Sequence, residues 1–419
     1  MFRINLFLKI NIFFRGIFLS NNNKTYLETI TSEISNQSKK KKVVITNSCR
    51  VGFLYLLKYF RSKFKNKNEI IFVSYNLAEM INVAKNLNFK IKFLDVNLND
   101  GNINIKKLNY LVNKKTCALV LTNMFNDYPN SLKIKNFCKK KKIKLIEDNA
   151  IYFDNFTLIK NKKFFSGQLG DYILYSFNIM KHISAFFGGA VSTNDSDFYN
   201  FFLNETKNNK TFFKFKLFKQ IFIFFILKIM SIKILYKLIF IHLIRFSHEY
   251  NIKSIMRLFY PSLRFKKYLF DNSYFTQVSN LTIKTAYLQI LDKKQRNQYF
   301  YERKKKNIYY QKKLIKMDNK NIKLIKIKDF NYQNYIDYPI LVKNKKKLNS
   351  FLLKKGFELR YIYYKNCELI FKKSNPICKN SKFFEEAMVC LPNHSKINHS
   401  YIDELIKNID NFYKFNLHS

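Results

Sequence analysis

Five short apolar runs with helical segments between them follow one another from Val43 to Asp148, and that alternation restricts the architecture more than any other feature. Val43 to Phe60 (V-V-I-T-N-S-C-R-V-G-F-L-Y-L-L-K-Y-F) predicts a strand, a turn at Ser48-Cys49-Arg50 and an apolar helix. Strands are then expected at Ile70–Ser74, Lys90–Leu94, Ala118–Thr122 and Lys142–Asp148, with helices over Ala78–Leu87, Ile105–Val112 and Ser131–Lys139. Strands separated by helices build a parallel, doubly wound α/β sheet, which gathers its ligands at the carboxyl ends of the strands. Asp148 sits at such an end, and so do Ser48, Cys49 and Arg50, whose turn would aim backbone N–H groups of a helix N-terminus at an anion.

The chain of 419 residues is long enough for two domains and a large core. Lys and Arg outnumber Asp and Glu by 76 to 28, a net charge of +48, yet the basic residues are scattered rather than gathered on one stripe. With Gly 8, Pro 5, Trp 0 and Phe 45, this composition is what an AT-rich genome writes, so the charge alone does not indicate specific nucleic-acid binding. A basic surface would still steer phosphate-bearing substrates inward. The six cysteines form no C-x-x-C pair and no metal-ligand spacing, which points to reduced thiols and no metal site. The apolar N-terminus, Met1 to Ser20, is interrupted by Arg3, Lys9 and Arg15 and does not read as a signal peptide. Residues 21–42 are polar and read as a solvated segment before the first core strand.

Chemistry concentrates in Gly170–Asp195, G-D-Y-I-L-Y-S-F-N-I-M-K-H-I-S-A-F-F-G-G-A-V-S-T-N-D. An apolar strand (Tyr172 to Phe177) leads into a loop carrying Lys181, then a Gly-Gly pair and a second short strand. A lysine held among apolar residues loses its preference for the charged form and becomes a usable amine nucleophile.

The pattern S-F-x-x-x-K followed by S-A-x-x-G-G-A-V resembles the DegT/DnrJ/EryC1/StrS family of pyridoxal-phosphate (PLP) aminotransferases, which act largely on nucleotide-linked keto-sugars. The resemblance covers roughly residues 40–205 and 275–415. It implies fold type I of the PLP-dependent transferases: a large, mainly parallel-sheet domain (residues 1–265) and a smaller C-terminal α/β domain (266–419). By the same resemblance Lys181 forms the Schiff base with PLP and Asp148 bonds the ring nitrogen. Ser176, with the turn Ser48, Cys49 and Arg50, contacts the cofactor phosphate. A homodimer, a cytoplasmic location, a keto-sugar nucleotide substrate and glutamate as amino donor are further implications, as is a role in polysaccharide or cell-surface glycan synthesis.

Several positions depart from the family's pattern. Cys49 stands where glycine is usual, and Leu77 where an aromatic residue stacks on the ring, with Tyr75 the only aromatic close by. Ile151 replaces a glutamine or histidine, and Phe275 and Gln277 replace an asparagine and an arginine given to the neighbouring subunit. Related dehydratases carry histidine where Lys181 stands; His182 lies one place too late. His394, in a loop after Pro392, reads as structural or solvated.

Residues 205–265 lie outside the resemblance and form a basic, apolar helical insertion with no lysine-free stretch long enough to span a membrane. Lys219, Lys233 and Lys237 share one helical face while Lys228 lies opposite, which breaks a clean interfacial pattern. Contact of residues 210–260 with the inner face of a membrane, or with a partner subunit, are the two readings. A catalytically degenerate, membrane-associated scaffold is the rival to the enzyme. Downstream, Ser279–Leu314 is expected to form one long helix, and a strand is expected at Tyr338–Val342.

Overall fold

The structure, a computed structural model, describes residues 2–4, 6–259, 263, 265, 270–372 and 377–415. A seven-stranded sheet forms its centre, built from β1 (Lys42–Thr46), β2 (Glu69–Val73), β3 (Lys90–Leu94), β4 (Thr116–Thr122), β5 (Lys144–Asp148), β6 (Tyr172–Ser176) and β7 (Gly189–Thr193). The strand order is β1-β7-β6-β5-β4-β2-β3. Strands β3, β2, β4, β5 and β6 run parallel, and β7 inserts antiparallel between β6 and β1. The interior strands are buried along nearly their whole length and apolar at their centres, as a sheet covered on both faces requires.

Helices α1 (Ile10–Phe18) and α2 (Asn23–Ser38) precede this sheet. Helices α3 (Cys49–Lys63), α4 (Ala78–Asn86), α5 (Ile105–Leu111) and α6 (Tyr128–Lys140) alternate with its strands. Ser48 starts α3 by accepting the Val51 N–H, and Asp127 starts α6 by accepting the Asn130 N–H. After β7 come α7 (Ser196–Thr206), α8 (Lys214–Met230) and, beyond a π-helical turn at Tyr236–Phe240, α9 (Ile241–Glu249). Residues 260–262 and 264 of the insertion lie outside the described residues, as does Met1. Among the described residues no helix is long and apolar enough to cross a membrane.

Two expectations are corrected. Residues 21–42 are not a solvated stretch: Tyr26, Ile30 and Ile34 recur every fourth residue along α2 and bury one face against Phe153, Tyr175 and Ile283. Arg296 ties this helix down, bonding Glu33 at 2.9 Å and Asp154 at 2.7 Å. The single helix expected over Ser279–Leu314 is two, α10 (Asn280–Leu291) and α11 (Lys293–Met317). Asp292 breaks the run because its carboxylate caps the second helix, accepting the Gln295 N–H at 3.0 Å.

A second, three-stranded antiparallel sheet follows, β8 (Ile322–Leu324), β9 (Asp337–Val342) and β10 (Met388–Pro392), in that order. Helix α12 (His399–Phe415) covers it with Ile402, Leu405, Ile409 and Phe412. The N-terminal segment is stitched onto this region. The side chains of Arg3 and Glu358 form a buried ion pair, and His394, fully structural, meets the Phe2 carbonyl at 3.0 Å. Burial lowers the His394 pKa to about 3, so it stays neutral there.

Because Ile34 is fully buried, Ile34→Ala should destabilise the chain by about 2–5 kcal/mol, whereas Ser32→Ala on the exposed side should stay within about 0.5 kcal/mol. Denaturant melts of the two variants check this; equal small effects would return α2 to the solvated reading.

Candidate functional site

The carboxyl edge of the large sheet collects the polar residues at the ends of its strands. Thr122 and Asp148 face each other at the ends of β4 and β5, and Asp148 pairs with Leu174, two residues before Ser176. Since β7 runs the other way, its first residue, Gly189, lies on this same edge, opposite both Ser176 and Thr46. Ser48 bridges to Gly188. The glycine pair is sterically required. Gly188 has φ +101°, and a Cβ on Gly189 would lie 2.4 Å from the Cys49 backbone nitrogen. The close approach places the N-terminus of α3 directly beside the end of β6.

Lys181 projects from the loop between β6 and β7. That loop is pinned at both ends: the Lys181 N–H bonds the Asn178 carbonyl at 2.9 Å, and Gln289 of α10 takes both backbone groups of Ser184, at 3.0 and 2.8 Å. His182 turns away to the Phe153 carbonyl. Lys181 is half-buried, and its Nζ and the Ser176 hydroxyl form no hydrogen bond with other described residues. Burial pushes the Lys181 ammonium down, with the Asp148 carboxylate acting against it and Arg360 adding to it. Asp148 is pushed up by burial against the opposing pull of Lys181 and of the Ala150 N–H, which one carboxylate oxygen accepts at 3.1 Å. Cys49 is close enough to feel both, and its buried thiol is pushed well up and stays protonated.

All six residues read from the sequence therefore lie on one edge. Ser48, Cys49 and Arg50 open α3, Asp148 and Ser176 end their strands, and Lys181 hangs over them. Leu77 is half-buried between the two core clusters flanking the sheet, and Ile151 packs on one of them. Tyr75 does not stand in for the missing aromatic: it is buried against Tyr364 and Phe384. Phe275 lies under the Lys58 ammonium, 5.4 Å from its ring centre.

The sequence reading missed what the C-terminal portion contributes. A two-residue strand, Lys365–Asn366, pairs with Tyr75–Asn76 just beyond β2, locked by Ser74 Oγ to Asn366 Oδ1 at 2.5 Å and the Cys367 N–H to the Ser74 carbonyl at 2.8 Å. It carries Arg360, Tyr363 and Tyr364 to the site. The tyrosine rings stack at 4.5 Å, Tyr364 lies in the field of Asp148, and Arg360 pairs with Asp337 at 2.8 Å within electrostatic reach of Lys181. The run L-R-Y-I-Y-Y was the available signal, but only the pairing with Tyr75–Asn76 says where it goes. A cavity of about 10 Å³, room for about one water, is lined by Tyr75, Thr122 and Asn126 rather than by Lys181, and is no ligand site.

Chemically, the edge offers an amine with a weakened hold on its proton, a buried carboxylate with one oxygen unbonded, and a helix N-terminus beside a free hydroxyl. These suit a group with a carbonyl carbon, a basic ring nitrogen and a phosphate. The six cysteines are buried and unpaired, and among the described residues no His, Cys, Asp and Glu cluster could hold a metal.

Comparison with known proteins agrees with the resemblance seen in the sequence. Residues 19–203 match the model of the DegT/DnrJ/EryC1/StrS aminotransferase family. The chain is 26% identical over 190 residues to a UDP-4-amino-4,6-dideoxy-N-acetyl-beta-L-altrosamine transaminase of Helicobacter pylori, covering 42% of this chain and 49% of that one. A GDP-4-keto-6-deoxy-D-mannose 3-dehydratase of Escherichia coli O55:H7 is 24% identical over 164 residues, 38% of this chain and 41% of its own. These sequence matches span about half, or less, of the relatives' length. In three dimensions the likeness is longer. The H. pylori aminotransferase PseC, involved in pseudaminic acid biosynthesis, superposes with a TM-score of 0.68 at 18% identity over 97% of this chain and 96% of that chain. An E. coli GDP-4-keto-6-deoxy-D-mannose-3-dehydratase with bound hydrated PLP gives 0.68 at 17%, covering 97% and 100%. The fold is fold type I of the PLP-dependent transferases.

The two perturbed groups set a pH dependence. Asp148 holds its proton to higher pH in the folded chain than unfolded, so stability falls as pH rises from the ordinary carboxylate range through its raised value. Lys181 loses its proton earlier when folded, so stability recovers as pH rises from its lowered value toward the ordinary lysine range. Between the two windows both charges are buried at a cost. Asp148→Asn should therefore melt higher than wild type at pH 7 in cofactor-free protein, with the gain vanishing below the ordinary carboxylate range. Melting curves across pH check it, and a lower midpoint at pH 7 would show the carboxylate to be net stabilising.

Proposed function

We propose that this chain, whose residues 19–203 carry the sequence of the DegT/DnrJ/EryC1/StrS aminotransferase family, is a PLP-dependent aminotransferase that moves an amino group, with glutamate as donor, onto a keto-sugar nucleotide for glycan synthesis. The observation that carries this reading is the convergence of Lys181, Asp148, Ser176 and the α3 N-terminus on one sheet edge, with the amine and one carboxylate oxygen left unpaired. A binding scaffold has no use for that pair, and buried charges without partners cost stability. Lysine rather than histidine at position 181 favours amino transfer over the dehydration named for some relatives.

PLP, when bound, supplies a reactive carbonyl carbon and a ring that takes up electrons from the substrate carbon. Asp148 would keep a proton on the ring nitrogen through its unbonded oxygen. The Ser176 hydroxyl and the Ser48–Arg50 turn would hold the phosphate, the helix N-terminus favouring its negative charge. Lys181 Nζ, its proton affinity lowered by burial, would anchor the cofactor and then accept a proton at one substrate carbon and deliver it at the next. Leu77 would cover a ring face by dispersion, without aromatic stacking. Ile151 offers no hydrogen bond to the ring. Arg360, within electrostatic reach of Lys181 and paired with Asp337, would be the nearby cation for an anionic substrate.

A cytoplasmic homodimer belongs to this reading through the family resemblance alone, since Phe275 and Gln277 stand where relatives give an asparagine and an arginine to a neighbour and supply neither group. The division near residue 265 into a large and a small domain belongs to the same reading.

Incubation with PLP followed by borohydride reduction and peptide mapping should place a pyridoxyl group on Lys181. Wild type should show a visible absorption band that Lys181→Ala lacks. Asp148→Asn should lower turnover with a keto-sugar nucleotide and glutamate by about 100-fold or more, as expected for loss of a group needed in the transition state. A wild type that neither takes up PLP nor shows the band would sink the proposal.

A further inference from the structure

Helix α8 is apolar on two sides. Phe224, Leu227 and Met230 face the body of the protein, where Phe224 meets Phe13 and Phe186. The opposite side carries Phe215, Phe218, Phe222 and Ile229, spaced along one stripe, and they are 79, 70, 60 and 46% exposed. The stripe continues past the π-helical turn through Leu238, at 69%, and onto the outer side of α9. Among the described residues nothing covers it. Outward-facing phenylalanines in such density are not a monomer's ordinary surface.

Charge decides what would cover it. From residue 206 to 248 the chain has nine Lys and Arg and no Asp or Glu. Lys219, Lys233 and Lys237 are exposed around the apolar stripe. Lys228, which in the sequence seemed to spoil an interfacial helix, points inward instead, donating to the Leu6 carbonyl at 3.3 Å with its ammonium over Phe224. The outer face is thus apolar at its centre and basic at its border. A second copy seated there would set one strongly basic face against another, because the acids at its border, Asp271 and Glu249, already pair with Lys216 and Arg245. Nucleic acid would answer the charge but not the phenylalanines.

We propose that the outer face of α8 and α9 docks on the surface of an anionic lipid bilayer, its phenylalanines in the acyl boundary and its lysines on the headgroup phosphates. The inference does not depend on the catalytic reading; it holds the chain at a membrane surface without crossing it.

The test is co-sedimentation of the full-length protein with phosphatidylcholine vesicles, with and without phosphatidylglycerol, at low and high salt, beside its mass by light scattering. Binding should be at least tenfold stronger to the anionic vesicles and should weaken with salt. Phe215→Asp/Phe218→Asp/Phe222→Asp should lose at least tenfold in binding while keeping its mass. Lys219→Glu/Lys233→Glu/Lys237→Glu, altered only at exposed positions, should lose the preference for anionic lipid even if the first variant folds poorly. No binding by wild type, or equal binding to neutral vesicles, overturns the proposal. So does a triple-phenylalanine variant whose mass drops while vesicle binding is unchanged, which would give the face to a second copy.

Discussion

The contact on which the site depends is the backbone approach between Gly189 and Cys49. Strand β7 can enter antiparallel between β1 and β6 only if its first residue has no side chain, because the α3 backbone occupies the space a Cβ would need. That one insertion puts the end of β6, the start of α3 and the Lys181 loop within reach of each other. A parallel sheet of βαβ units alone would place Asp148 at a strand end, but it would not bring Ser48 beside Ser176.

Around that contact the protein holds two ionisable groups in surroundings that disfavour their charges. Asp148 and Lys181 act on each other without closing into a direct ion pair, and burial disfavours the charge on both. The supporting structure supplies the compensation. Gln289 clamps the loop, Arg296 ties α2 to the segment after β5, and the short Tyr75–Asn76 pairing holds the tyrosine pair over the opening. None of these supports bonds the Lys181 amine; Gln289 fixes the loop that carries it, and the others fix elements beside the same sheet edge.

Much of this candidate site was legible because its residues stand in short contiguous motifs. The apolar runs of the strands are local patterns, and Lys181, Asp148 and Ser176 stand out beside them through the motifs that resemble a known family. The same logic fails wherever the partner is far away in sequence. Helix α2 read as solvated because its polar residues outnumber the apolar stripe of Tyr26, Ile30 and Ile34, and its burial is decided by α10, more than 240 residues later. Lys228 read as a fault in an amphipathic face because nothing local reveals that its ammonium has a carbonyl waiting at Leu6. Asp292 ends a helix whose apolar spacing runs on through it, because a side-chain cap competes with the next turn.

The sequence by itself determined the alternation that makes a parallel α/β sheet, and it set Asp148, Ser176 and the Ser48–Arg50 turn at the ends of its strands, with Lys181 in the loop beyond. The alternation follows from hydrophobic period; the roles proposed for those residues follow from the family resemblance of their motifs. Only the tertiary structure decided which tyrosines and which arginine reach the mouth of the site, and which side of the inserted helix faces outward. Those choices depend on contacts between Ser74 and Asn366 and between Phe13 and Phe224, made by residues hundreds of positions apart that no local pattern pairs.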